Sequence, residues 1–187
     1  MSEKGFTLVE ILVVTAVVAI MGIVITEIFI SSIRGGDKAK VLASIKQNGQ
    51  ASLEIMDKTI RGADLVVCPL TSTPSDTVII VKNGLYERFR FKSPPSANGF
   101  IERDKPTAVS SSTWCSSTDV SVSPELLTDN DPKKGVSVRS GYFKRDKAPG
   151  YKDLVTINFI LGPAVEAAQA ILAQTDEVTF TTTIELR

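Results

Sequence analysis

The chain has 187 residues, with 21 basic and 21 acidic side chains, no histidine and two cysteines. A formal net charge of zero removes the basic footprint that strong nucleic-acid binding needs. Without histidine there is no imidazole to ligate a metal or act as a general base.

In chain order, a polar leader, Met1-Ser2-Glu3-Lys4, precedes Gly5-Phe6-Thr7-Leu8-Val9-Glu10 and an apolar run that lasts to Ile30. Between Ile11 and Thr26 no residue is charged, and only Thr15 and Thr26 carry polar side chains. Phe6 to Ile30 meets the requirement of about 20 residues for a bilayer-crossing helix. Its two charges differ in position: Glu27 is near the far end, within reach of headgroups or water, whereas Glu10 heads the run. A carboxylate at a helix centre in a membrane costs roughly 2.5–3.5 kcal/mol, so Glu10 needs either a partner or a hydrated place at the interface. A cleaved secretory signal fits poorly, since it has a basic start, about 7–15 apolar residues and small residues at the cleavage point. No cysteine near the run supports lipid attachment.

The heptapeptide Lys4-Gly5-Phe6-Thr7-Leu8-Val9-Glu10, followed by an uninterrupted apolar helix, resembles the prepilin-type cleavage and methylation motif of type IV pilins, competence pilins and type II secretion pseudopilins. The resemblance implies that a prepilin peptidase cuts after Gly5, that the new terminal residue Phe6 is N-methylated, and that Glu10 serves in assembly. Cleavage would place an ammonium on Phe6, four residues before Glu10 and on the same helical face. Glu10 also sits near the positive end of the helix dipole. In a polymer, Glu10 of one subunit can pair with the Phe6 ammonium of a neighbour and fix axial register; a hydrated Glu10 is the simpler alternative. The resemblance is sharp over residues 4–30 and only architectural beyond them. It implies a single pass through the cytoplasmic membrane with the head outside. A plain count of flanking cations (Lys4 before the run; Arg34, Lys38 and Lys40 after it) points the opposite way.

Residues 31–63 continue to read as helix. Leu42, Ile45, Gly49, Ser52, Met56 and Ile60 follow a 3-4 spacing that makes one mostly apolar stripe, the core face of a helix lying on a sheet. If helical throughout, Phe6 to Ile60 would extend about 80 Å at ~1.5 Å per residue. Gly35-Gly36 marks a kink or weak point between the membrane and soluble halves.

Period-two patterns follow. Strands are predicted at Leu65–Cys68, Val78–Val81, Leu85–Phe91, Leu154–Leu161 and Glu177–Leu186, the last presenting Val178, Phe180, Thr182 and Ile184 on one face. Lys82-Asn83-Gly84 is a hairpin signal. Shorter strands are expected at Phe100–Arg103, Val136–Val138 and Tyr142–Lys144, within a loop-rich stretch from Lys92 to Lys152 broken at Ser93-Pro94-Pro95 and Asp129-Asn130-Asp131-Pro132. Gly162–Gln174 reads as a short helix or a loop.

Because the resemblance places the head outside the cytoplasm, where disulfides persist, Cys68 and Cys115 form either a bridge or two buried thiols. Asp119, Asp129 and Asp131 lack the twelve-residue spacing and closing glutamate of a calcium loop, so a solvated acidic turn is the better reading. Trp114 reads as packing against a disulfide or core, and the serines at 110–112 and 116–117 as a surface loop. No phosphate-binding glycine loop and no histidine-based triad is present, which points away from an enzyme, and no metal or cofactor is expected.

The expected architecture is α+β: a leader (1–5), a transmembrane and assembly helix (6–30), the soluble half of that helix (31–63) and a β-rich head (64–187). Its second helical half would pack on an antiparallel sheet. The resemblance implies a structural subunit of a type IV pilus, competence pilus or type II secretion pseudopilus, minor rather than major. Its partners would be other pilin or pseudopilin subunits, the prepilin peptidase/methyltransferase and the membrane, with no nucleic acid. Because Glu10 is present, the tip-type pseudopilin that lacks this acid is disfavoured. The alternative is a single-pass, membrane-anchored, extracytoplasmic binding domain with no filament role.

Overall fold

A computed structural model of the protein describes residues 5, 7–70, 72–106, 124–147, 150, 152–167 and 176–186. Among the described residues, one helix, α1 (Leu8–Arg61), is followed by eight strands: β1 (Leu65–Cys68), β2 (Thr77–Lys82), β3 (Leu85–Lys92), β4 (Phe100–Asp104), β5 (Glu125–Leu126), β6 (Val136–Asp146), β7 (Leu154–Pro163) and β8 (Val178–Glu185). The fold is α+β, and the chain divides into two compact units, Met1–Lys40 and Val41–Arg187.

In the first unit the helix continues through Gly35-Gly36. Each glycine costs about 1 kcal/mol of helix propensity relative to alanine, yet the pair does not end the element.

In the second unit the helical residues Ile45, Gly49, Ser52, Met56 and Ile60 are buried. Their spacing of three and four residues puts them on one side of a 3.6-residue helix, as the stripe predicts, with Leu42 half-buried at its start. The strands form two antiparallel sheets, β1-β2-β3-β4-β5 and β6-β7-β8. Ile45, Met56 and Ile60 share a core with Val78 and Ile80 of β2, Phe89 and Phe91 of β3, Phe143 of β6, Phe159 of β7 and Phe180 of β8.

Aromatic rings tie this core together. Phe143 stacks on Phe91 with centroids 4.6 Å apart, Phe91 meets Phe159 at 5.7 Å, and Phe159 stacks on Phe180 at 5.1 Å. The line of rings crosses from β3 to the second sheet and ends on the helix backbone, where a Cβ at Gly49 would come within 2.1 Å of the Phe180 ring. Glycine at this position lets the helix and β8 approach this closely. The Ser52 hydroxyl donates to the Leu127 carbonyl (2.9 Å), and Asp129 N–H donates to Asn48 Oδ1 (2.9 Å). The segment after β5 is thereby fixed to the same helix.

The β2–β3 turn is the expected hairpin. Asn83 (φ 51°) and Gly84 (φ 76°) both adopt left-handed backbone, which a two-residue type I′ turn requires. The two short strands expected at Val136–Val138 and Tyr142–Lys144 are instead parts of one strand, β6, whose pairing with β7 shifts register between Val138 and Ser140. That irregularity breaks the period-two pattern. Gly162 and Pro163, expected to begin a helix or loop, belong to β7. Residues 164–167 follow as a loop and turn, and residues 168–174 of that prediction lie outside the described residues.

Candidate functional site

Of the N-terminal motif, Gly5 and Thr7 precede the helix and Leu8-Val9-Glu10 begin it. Gly5 is exposed, and a Cβ there would meet nothing within 4 Å, so no contact among the described residues demands glycine. Phe6 lies outside the described residues. Thr7 caps α1. Its carbonyl accepts from Glu10 N–H (3.1 Å) and Ile11 N–H (3.3 Å), and its Oγ1 also accepts from Glu10 N–H (3.3 Å). Thr7-Leu8-Val9-Glu10 therefore has the sequence of a capping box, with threonine at the cap and glutamate three residues on. Sequence reading treated Thr7 as a motif letter only, although the T-x-x-E spacing before an apolar run signals this cap.

In a complete capping box the glutamate side chain would also accept from the cap residue's N–H. Here the Glu10 carboxylate makes no hydrogen bond or ion pair among the described residues. Glu10 occupies the first helical turn, where the dipole favours a negative charge by about 0.3–1 kcal/mol. The carboxylate is thus placed in a favourable field with its acceptor capacity open.

The helix beyond is apolar on every side. Leu8 is 81% exposed, Val18 62%, Ile25 65% and Phe29 65%. A stretch of α1 is long and apolar enough to cross a membrane, and none of it is buried within the protein. Its two hydroxyls are satisfied inside the helix: Thr15 donates to the Leu12 carbonyl (3.0 Å) and Thr26 to the Gly22 carbonyl (2.8 Å). Hydrocarbon tolerates only backbone and side-chain polar groups satisfied in this way, so Glu10 and Glu27 are the remaining polar costs.

The head holds buried charge on neighbouring strands. Arg88 and Asp104, directly opposite on β3 and β4, form a bidentate pair (2.8 and 2.5 Å) in which both side chains are 1% exposed. Arg90 joins Asp104 at 3.0 Å and Glu102 at 2.5 Å. Opposite charges facing across two neighbouring strands were the available signal.

Cys68 is fully buried in β1 and disulfide-bonded. It belongs to a second, smaller core with Val67 and Ile79 on the other face of the five-stranded sheet. Cys115, Trp114, Asp119 and the serines at 110–112 and 116–117 lie outside the described residues. Asp129 and Asp131 form a tight exposed turn. Asp131 Oδ1 accepts from the backbone N–H groups of Lys133 (2.8 Å) and Lys134 (2.7 Å), and these bonds, Lys134 first, hold its carboxyl below the ordinary carboxylate range. Among the described residues no cluster of acidic or cysteine side chains has metal-binding geometry.

Residues 1–26 match the family model described as the prokaryotic N-terminal methylation motif. The chain thus carries a type IV pilin-like prepilin motif. No curated protein and no solved structure matches the chain.

Proposed function

We propose that this protein is a prepilin-like structural subunit: cleaved after Gly5, N-methylated at Phe6 and assembled through its N-terminal helix into a type IV pilus, competence pilus or type II secretion pseudopilus as a minor component. The match of residues 1–26 to the methylation motif carries this reading. Three further observations support it. Gly5 is exposed with no packing reason to be glycine, as befits a residue read by a peptidase. The helix beyond Thr7 is a continuous apolar surface with no cover inside the chain, and so large a patch calls for lipid or other subunits. The Glu10 carboxylate heads that surface without a partner among the described residues.

In this mechanism the apolar helix first stores the subunit in the cytoplasmic membrane, with the head outside. Cleavage by the prepilin peptidase converts the Gly5–Phe6 amide into a new amine. In the filament the amine of one subunit neutralises Glu10 of the next, in surroundings too apolar to leave a carboxylate unpaired. Thr7 holds the first turn, and with it Glu10, at the helix start. The head acts as a non-catalytic domain closed by a Cys68–Cys115 bridge. Replacing Glu10 with alanine should leave membrane insertion intact and sharply reduce incorporation into filaments, scored by immunoblot of membrane and sheared-filament fractions. Incorporation at the wild-type level would contradict the pairing.

A further inference from the structure

A cavity of about 360 Å³ opens on the head, lined by Ile55, Lys58 and Thr59 of α1, Lys82 of β2, Glu87 of β3 and Arg103 of β4. Three cations face a single carboxylate there. That carboxylate is committed, because both Glu87 oxygens accept from Arg103 Nη2 at 3.2 Å. Arg103 is committed in turn: its Nη1 is 3.7 Å from Glu125, and its guanidinium carbon lies 5.9 Å from the Phe89 ring centroid. Thr59 donates its hydroxyl hydrogen to the Ile55 carbonyl at 2.7 Å.

Lys58 and Lys82, both exposed, make no ion pair or hydrogen bond through their side chains among the described residues. The Lys82 ammonium lies 3.2 Å from where a Cβ on Gly62 would stand, beside the end of α1. There the helix C-terminus attracts a cation. Even against about half a negative charge from that terminus, the lining keeps a positive excess.

We propose that this cavity binds a small phosphate-bearing anion between the ammonium groups of Lys58 and Lys82. The chemistry selects phosphate over carboxylate. The planar fork that matches a carboxylate is the guanidinium, but Arg103 Nε is buried and its Nη2 already serves Glu87. What remains is two compact ammonium point charges, which suit a multiply charged tetrahedral anion. The volume lies at the small end of ligand pockets, which favours a small molecule over a polymer. The site is independent of how the N-terminus is processed.

The test is a titration of the full-length protein in detergent micelles with inorganic phosphate at constant ionic strength, followed by NMR shifts of the Lys58 and Lys82 side-chain ammonium groups. Acetate serves as the planar control. Binding should saturate for phosphate, be at least tenfold weaker for acetate, and weaken at least tenfold in the Lys58→Gln/Lys82→Gln double variant. The Lys58→Arg variant, which keeps the charge, should stay within threefold of wild type. Amide shifts around Phe180 report that each variant is folded. Non-saturating shifts, equal affinity for acetate, or undiminished affinity in the double variant would overturn the proposal.

Discussion

The two parts of α1 are one element with two different surfaces. Within Leu8–Lys40 no residue is buried, and large apolar side chains point in every direction. Within Val41–Arg61 only Ile45, Gly49, Ser52, Met56 and Ile60 are buried, along one stripe, with Lys46, Gln50, Glu54 and Lys58 outside. A helix that is hydrophobic all round belongs in lipid or a protein interior, whereas a one-sided helix lies on a core. The helical backbone is common to both; what differs is whether the sequence leaves a polar face. The first part relies on surroundings outside the chain, and the second carries its own core.

That contrast can be broken most forcefully from the head. Asp104→Ala would leave Arg88 and Arg90 without their shared carboxylate, and stranding a buried charge costs about 3–5 kcal/mol. Chemical denaturation of the detergent-solubilised protein should show that loss, while membrane insertion stays unchanged. A loss of insertion would mean that the two parts are not energetically separate.

Next comes the disulfide. If Cys68 pairs with Cys115, reduction should cost roughly 2–5 kcal/mol, the range found for native bridges in small secreted domains, and should again spare insertion. Peptide mass spectrometry of the unreduced protein should recover the 68 and 115 peptides linked; free thiols at both positions would refute the pairing. Smaller still is Gly49→Ala. Its new methyl would meet the Phe180 ring, and overpacking of this kind costs about 1–3 kcal/mol. Thermal melts should fall accordingly, whereas Gly22→Ala, with nothing within 4 Å of the added carbon, should not lower the head's stability.

Local patterns carried much of this molecule in plain sight. The buried stripe on α1, the hairpin at Asn83-Gly84 and the alternation of β8 are read from spacing, because each depends on neighbours close in sequence. The motif at Gly5, Phe6 and Glu10 was legible for a different reason: its glycine and its acid stand out against an apolar run, and neither is explained by packing among the described residues. Long-range features were not legible. The division into two sheets depends on which strands pair across long loops. The burial of Arg88 and Asp104 depends on register between β3 and β4. β6 looked like two strands because its register shift near Ser140 interrupts the alternation. The cavity gathers residues from α1, β2, β3 and β4, so no stretch of sequence contains it. Thr7 was missed although its cap is local, because the family resemblance already accounted for the residue.

The central claim is that the first residues are a processing site as well as an anchor. N-terminal peptide mass spectrometry of the protein from its native membrane tests it most directly. The account predicts that Met1 to Gly5 are gone and that the chain begins with N-methylated Phe6. A terminus still at Met1 or Ser2 would contradict it and leave a membrane-anchored domain with no filament role.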